Sequence, residues 1–572
     1  MSGFAPGLES LSSYQARWLH RDLVAGLVLT ALLVPQGMAY AELAGLPPIT
    51  GLYTSILCLA GYALFGPSKV LVLGPDSSLG PMIAATVVPL VGAQGDPGRA
   101  VALASALALL VGTINVGAGV ARLGFVADLI SKPIIVGYMN GLALTILVGQ
   151  LPKLFGFSTE GDGFRAELAG FVRGVADGET VAASLAIGVS ALVVIVGLQQ
   201  WRPTLPGVLI AVVVSIAAAA AFDLADRGVS LVGVLPQGFP PFTLPRVELA
   251  DVGLLVGGAL GIALVSLADT ISTASSFAAR RGEEVDGQRE MVGIGMANLA
   301  AGLFQGFPVS TSGSRTAVAE QAGAKTQVTG LVGAGAIVLI LLFFPGLLRN
   351  LPQPTLAAVV ITASLSLADV PETRRLRRVR RSEFLLSTTA FLGVVLLGVL
   401  PGIALAVALS IGNVFRRAWW PHQAVLGRVR GLAGYHDTGS YPDAARLPGC
   451  VIFRFDAPLF FANARTFRDQ VRRLARSEPA PAWIVVAAEP ITDVDTTAAD
   501  MLRDLVEALN ARGICLVFAE LKDPVRSRID RYELVRATDD VRFFPTITQA
   551  VKAFQRATGA SWQAPDAGLG QG

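Results

Sequence analysis

Before Trp420 the chain runs through long stretches with almost no charge, and few folds tolerate that. Residues 101–120, 181–198 and 330–344 are examples. About 20 apolar residues cross a bilayer as a helix. Charged residues make up 15% of the 572, where soluble domains average about 25%. The shortfall lies before residue 420, so that part is read as a bundle of spans. The first apolar run starts near Leu23, after Arg17 and Arg21, and reads as span 1 rather than a cleaved signal peptide.

Cytoplasmic loops carry an excess of Lys and Arg, which sets orientation. The loop 372–381 holds six Arg, at 374, 375, 377, 378, 380 and 381, and is placed inside. Arg280 and Arg281 mark another inner loop, and Arg416 and Arg417 follow the last span. The loop 153–180 is long and leans acidic, which suits the outside. Both termini then lie in the cytoplasm and the span count is even; 14 spans are expected in the plasma (inner) membrane.

The apolar segments stop at Trp420. From Gly449 short strands alternate with helices: strands at 450–455, 483–487 and 514–518, helices at 466–476 and 497–509. That order predicts a small α/β domain. The expected organisation is a cytoplasmic N-terminal segment 1–22, a transmembrane domain 23–420, a linker 421–448, a soluble domain 449–556 and a disordered tail 557–572.

Two places in the membrane part break helical regularity. One is GPDSSLGPM, 74–82, and the other is GFPVSTSGSRTAV, 306–318. In a bilayer, unpaired backbone survives only where protein or a cavity satisfies it. Breaks at corresponding places in two halves point to a transporter site. Each is followed by a short apolar segment, as a half-helix starting near midplane would be. A half-helix N-terminus aims free N–H groups and a positive dipole end forward, so two facing ends make an anion site.

Ser77, Ser78, Ser310, Thr311, Ser312 and Ser314 add hydroxyl donors around the breaks, and Gly313, with Pro308, marks the second break and is counted with the anion site. Arg315 adds a full charge in an apolar region, which is by default a functional feature. The plainer alternative is an arginine reaching to the surface. Asp269 lies in an apolar helix with Thr273 one turn on. It could bind a cation such as Na⁺, carry a proton, or pair structurally with Arg315. Asp76 could cap the first half-helix, the favoured reading, or take up a proton with the anion. Gln36 and Tyr40 in the first span line the cavity or bond across helices. Asp128 and Lys132 stand four apart and are expected to pair.

Three His and three Cys show no metal or haem spacing, and no phosphate loop is present. No cofactor and no catalytic set is expected, and the net charge of +3 gives no sign of a nucleic-acid partner.

At these residues the sequence resembles the sulfate permease (SulP) family. VPQGMAYAELAGLPPITGLYTS (34–55) is similar to its first-span signature, GPDSSLGPM to its third-span entry, and GFVADLISKPIIVGYMNGLA (124–143) to its fifth-span pattern. Residues 266–318 resemble its spans eight to ten, and 449–556 resembles its STAS domain. The resemblance implies 14 spans in two inverted seven-span repeats, core and gate domains, elevator-like motion and a homodimer. Asp269 matches the family's eighth-span acidic residue. Thr273 matches a Thr that binds Na⁺ in a bicarbonate-transporting branch, whose tenth-span ligands are replaced here by Ser312 and Gly313. Ser314 and Arg315 match a Ser-Arg pair near the anion in animal members. DVDTTAADML (493–502) resembles the phosphorylatable loop of anti-sigma antagonists, with Thr496 or Thr497 as acceptor, and the domain could meet a cytoplasmic regulatory partner. The expected function is secondary active transport of a small inorganic anion, sulfate favoured, coupled to H⁺ or Na⁺. Bicarbonate or C4-dicarboxylate transport, and an uncoupled exchanger or channel, stay open.

Overall fold

The apolar stretches fold as helices because a chain inside hydrocarbon must satisfy each backbone group internally. A computed structural model describes residues 5–92, 95–124, 131–159, 163–202, 205–532 and 542–563. Two compact units form, residues 1–411 and 412–572.

The first unit begins with α1 (Pro6–Ser12), α2 (Leu19–Leu43), α3 (Pro48–Phe65), strand β1 (Leu73–Gly74), α4 (Gly80–Val91) and α5 (Pro97–Val120). Then come α6 (Lys132–Phe155), α7 (Phe164–Ala176), α8 (Ala182–Trp201) and α9 (Gly207–Ala221). The second half runs α10 (Val252–Ala279), α11 (Gly287–Gly302), strand β2 (Ser310–Thr311), α12 (Gly313–Gln321) and α13 (Val328–Phe343). It closes with α14 (Gln353–Leu367), α15 (Val370–Val379), α16 (Arg381–Leu397) and the first part of α17 (Val399–Trp419), which runs on past residue 411. Among the described residues, 8 helices are long and apolar enough to cross a membrane, and α4, α9 and α13 are shorter apolar helices. The remaining spans of the fold include half-helices such as α12, too short to cross alone.

Packing sorts these helices into two bundles. α2–α5 pack with α10–α13, while α6–α8 pack with α14 and α16. Small residues allow the closest approaches. A Cβ on Gly51 would overlap the Gly37 carbonyl of α2, and one on Gly137 would overlap the Ser387 carbonyl of α16. Proline opens α3, α5 and α14 where its missing N–H costs nothing.

Asp22, the last residue of the expected N-terminal segment, is instead fully buried in the first turn of α2. Its carboxylate accepts from Lys325 N (2.6 Å), Thr326 N (3.2 Å), Thr326 Oγ1 (2.8 Å) and Thr329 Oγ1 (3.0 Å). The start of α2 thereby ties down the turn between α12 and α13. Asp22→Ala strands these donors and is expected to cost roughly 3 kcal/mol or more. Thermal-shift measurement in detergent checks this: an unchanged melting temperature would remove Asp22 from the account of stability.

The second unit is a six-stranded sheet in the order β4-β3-β5-β6-β7-β8. The strands are β3 (Gln423–Gly427), β4 (His436–Asp437), β5 (Cys450–Phe455), β6 (Trp483–Ala487), β7 (Cys515–Ala519) and β8 (Arg542–Phe544). β5 to β8 pair in parallel, and β3 adds antiparallel to β5. The helices are α18 (Ala464–Leu474), α19 (Thr496–Asn510), α20 (Asp523–Arg531) and α21 (Ile547–Thr558). Alternate strand residues feed two cores, Phe453 and Val486 on one face, Ile452 and Val485 on the other. A buried parallel sheet needs both faces covered.

Three expectations are corrected. The stretch 421–448 is not a plain linker, because β3 and β4 within it complete the sheet edge. Its short strands carry too little periodicity to read. The first part of the expected tail, residues 557–563, is ordered: Gln563 exchanges backbone hydrogen bonds with Arg446 at 2.9 Å, and Trp562 lies against Tyr435, while 564–572 lie outside the described residues. The arginine-rich stretch after α14 is the helix α15, capped by Asp369 through Glu372 N, rather than a loop. Asp128 lies outside the described residues; Lys132 pairs with Glu372 at 2.9 Å.

Candidate functional site

The two breaks meet. β1 pairs antiparallel with β2, with Leu73 opposite Thr311 and Gly74 opposite Ser310. Ser312 N donates to Val72 O at 3.0 Å, which extends the pairing by one bond. A helix begins just after each strand, α4 after β1 and α12 after β2. The same strand-then-half-helix order thus occurs in both halves, and both half-helices start beside one strand pair.

Irregular backbone here needs partners, and buried side chains supply them. Thr54 Oγ1 accepts from Phe307 N (3.1 Å), and Ser105 Oγ donates to Gly306 O (3.1 Å). Asn298 Oδ1 accepts from Val309 N (2.9 Å), while Ser266 Oγ donates to Val309 O (3.0 Å). On the other segment Gln327 donates to Ser68 O and Leu71 O, and Thr316 Oγ1 accepts from Val72 N. Glu290, buried in α11, accepts from the Tyr62 hydroxyl at 2.7 Å and from the Ser68 hydroxyl. Sequence reading missed these supports. Glu290 stands in the polar first turn of α11 after Gln288 and Arg289, and its partners lie more than 200 residues away, so no local signal marked it.

Arg315 sits in the first turn of α12 with a side chain 1% exposed. Its Nε, Nη1 and Nη2 have no hydrogen-bond partner within the protein. The guanidinium rests against Gly74, where an added Cβ would come within 2.9 Å of Nη1. Asp76 Oδ1 is 4.0 Å from Nη2, too far for a hydrogen bond. The arginine therefore does not snorkel to a surface. The buried Thr311 hydroxyl, four residues before Arg315 in the chain, also lacks a partner.

The other expected residues fall around this point, some in different roles. Asp76 does not cap α4, whose N-cap is Leu79 without a side-chain bond. Its Oδ2 instead accepts from Ser78 N (2.9 Å) and Ser78 Oγ (2.6 Å), closing the turn before the helix. Ser77 and Ser78 are buried, and the Tyr40 hydroxyl interacts with Ser77 within electrostatic reach of Asp76 and Arg315. Ser312 is the N-cap of α12; its Oγ accepts from Arg315 N (3.4 Å) and lies 3.1 Å from Ser314 Oγ. Gly313 and Ser314 are exposed, and Thr273 lies against Gly313. Gln36 is half-buried in α2. Asp269 does not pair with Arg315; its Oδ2 accepts from Ser310 Oγ at 3.1 Å. It also feels the charge of Asp76.

Asp269 lines a cavity of about 100 Å³ with Tyr138 and Met139 of α6, Ser272, and Ile403 and Ala406 of α17. This cavity lies where the two helix bundles face each other. The buried Tyr138 hydroxyl has no partner in the protein. A larger cavity of about 680 Å³ runs along α4, lined by Pro81 and Ala84 and by Glu42, Lys153 and Arg165. In the second unit, Thr496 and Thr497 are exposed at the start of α19, where Asp495 caps the helix through Ala498 N at 2.8 Å. Among the described residues no group of three or more His, Cys, Asp or Glu could hold a metal.

Two half-helices meeting over a strand pair in a polytopic bundle, followed by a parallel α/β unit, define a membrane transporter with an appended soluble domain. The chain belongs to the sulfate permease family. That family's model matches residues 19–390, and the STAS domain model matches residues 441–550. Similar relatives include the Mycobacterium tuberculosis protein "Probable sulfate transporter Rv1739c", 43% identical over 97% of this chain and 99% of its own. "Sulfate transporter 1.3" of Arabidopsis thaliana is 28% identical over 96% of this chain and 86% of its own. Among solved structures, the murine Slc26a9 anion transporter in its inward-facing state matches with a TM-score of 0.88 at 25% identity, over 97% of this chain and 94% of its own.

Proposed function

We propose that the chain is a secondary active transporter of a small inorganic oxyanion, sulfate favoured, with the anion held between the starts of α4 and α12. The observation that carries this reading is Arg315. A buried guanidinium with no hydrogen-bond partner is costly, and an oxyanion satisfies its forked donors. The unpartnered Thr311 hydroxyl, Ser77, Ser312 and the positive dipole ends of the two half-helices favour an anion there as well. Gln36, Tyr40, Ser78, Gly313 and Ser314 complete the proposed wall.

Charge balance supports coupling. Asp76 stands 4.0 Å from the guanidinium, and Asp269 lies within electrostatic reach of Asp76, so two carboxylates interact around one buried cation. An anion entering that set is favoured when a cation, H⁺ or Na⁺, neutralises a carboxylate. Asp269 is the proposed carrier, because Ser310 connects it to the strand pair and its cavity separates the two bundles. Thr273 is an additional oxygen ligand if the cation is Na⁺. Elevator-like sliding of the α2–α5/α10–α13 bundle against the other follows the packing division. A homodimer in the plasma membrane with cytoplasmic termini, and a regulatory role for Thr496 or Thr497, belong to the same reading.

Labelled sulfate uptake into proteoliposomes, with bicarbonate, succinate and chloride as competitors, tests it. The expected result is uptake that rises with an inward H⁺ or Na⁺ gradient and resists the competitors. Strong flux of a competitor without sulfate uptake would overturn the substrate, and indifference to every gradient would overturn coupling.

A further inference from the structure

The helix α15 joins α14 to α16, both read here as membrane spans, through a stretch with six arginines. Two of these are used within the protein. Arg375 pairs with Glu372 at 3.2 Å and Arg380 with Glu383 at 3.3 Å. Glu372 is also taken by Lys132 at 2.9 Å. Arg374, Arg377 and Arg378 are exposed and have no ion-pair partner among the described residues. Their spacing of three and four places them on one helical face. Leu376, between them, is buried and turns that face away from the bundle.

Apolar surface borders the row. Leu365 near the end of α14 is 51% exposed, and Leu385 in the first turns of α16 is 63% exposed. Large apolar side chains exposed on spanning helices face lipid tails. Val379, at the end of α15 itself, is 75% exposed. Unpaired arginines in the connection between two such helix ends belong at headgroup level. Arginine matches phosphate oxygens with a forked donor pair, and a basic cluster just outside a span is drawn to anionic lipid.

We propose that α15 is a binding site for anionic phospholipid headgroups, with Arg374, Arg377 and Arg378 as the phosphate contacts. The partner is a lipid of the leaflet in which α15 lies, not a soluble anion on its way to the transport site. The bundle that α15 joins is thereby tethered to the bilayer surface: Thr373 accepts from Asn140 of α6 at 2.9 Å, and Asn140 accepts from Asp369 N at 2.7 Å. The inference rests on the reading of α14 and α16 as spans and not on the choice of transported anion.

Native mass spectrometry of the full-length protein from detergent, titrated with phosphatidylglycerol or phosphatidylcholine, tests it. The wild type is expected to retain phosphatidylglycerol in preference. The R374Q/R377Q/R378Q variant should bind it roughly a hundredfold more weakly, since each arginine near a membrane surface contributes about a fivefold factor. A control, R472Q/R473Q/R476Q on the soluble unit, removes as much charge and should leave retention unchanged. Gel filtration and thermal melting of the variants show whether they fold. Equal retention by wild type and the α15 variant, equal loss in the control, or displacement of the lipid by millimolar sulfate would each overturn the proposal. Failure of sulfate transport with lipid retention intact would overturn the substrate reading alone.

Discussion

Arg315→Ala is expected to raise the sulfate concentration for half-maximal uptake by roughly thirtyfold to several thousandfold. Removing one partner of a buried charge pair costs about 2–5 kcal/mol, and each 1.4 kcal/mol is about tenfold. The guanidinium is 1% exposed and is not committed to any hydrogen bond within the protein, so its bonding capacity is free for the anion. Removing it also leaves Asp76 without the cation that now stands 4.0 Å away, which adds repulsion at the site. Arg315→Lys keeps the charge but loses the planar fork, and an intermediate affinity is expected. Sulfate titration of uptake in proteoliposomes, or of binding in detergent, separates these outcomes. Wild-type affinity in a folded Arg315→Ala protein would place the anion elsewhere.

Asp269→Asn is expected to abolish gradient-driven accumulation. Asparagine is close in size, and its carbonyl oxygen can still accept the Ser310 hydroxyl bond that Asp269 Oδ2 accepts at 3.1 Å. The local fold should therefore survive, while the group that titrates or binds a cation is gone. For one cation carried per anion, a tenfold gradient drives up to about tenfold accumulation. That factor should fall to about one in the variant, under whichever of the H⁺ or Na⁺ gradients drives the wild type. Exchange of labelled for unlabelled sulfate without a gradient distinguishes uncoupling from a dead carrier. Accumulation that still follows the gradient would move the coupling role to Asp76.

Much of this protein was legible from local patterns. Charge-poor stretches have to become helices in a bilayer, whatever packs around them. Residues 450–455, 483–487 and 514–518 carry strand chemistry strong enough to locate β5, β6 and β7 to within a residue. The two breaks were visible because Gly, Pro and Ser interrupt apolar runs. Arg315 was visible because a full charge in such a region is rare. β3 and β4 were not visible, because an edge strand of a few residues owes its existence to the neighbour it pairs with.

The sequence by itself determined the class: a helical membrane unit with two interrupted stretches, an arginine and an acidic residue in apolar surroundings, and an α/β unit behind it. Only the tertiary structure decided what those residues do to each other. It joined 73–74 to 310–311 and freed Arg315 from any hydrogen bond within the protein. It gave Asp269 to Ser310 rather than to Arg315, and Asp76 to Ser78 rather than to the end of α4. It turned Asp22 from a terminal residue into the anchor of the turn after α12. The physical reason is range. Solvation and backbone satisfaction act on each residue where it stands, whereas a hydrogen bond between residues hundreds of positions apart exists only once packing has brought them within 3 Å or so of each other.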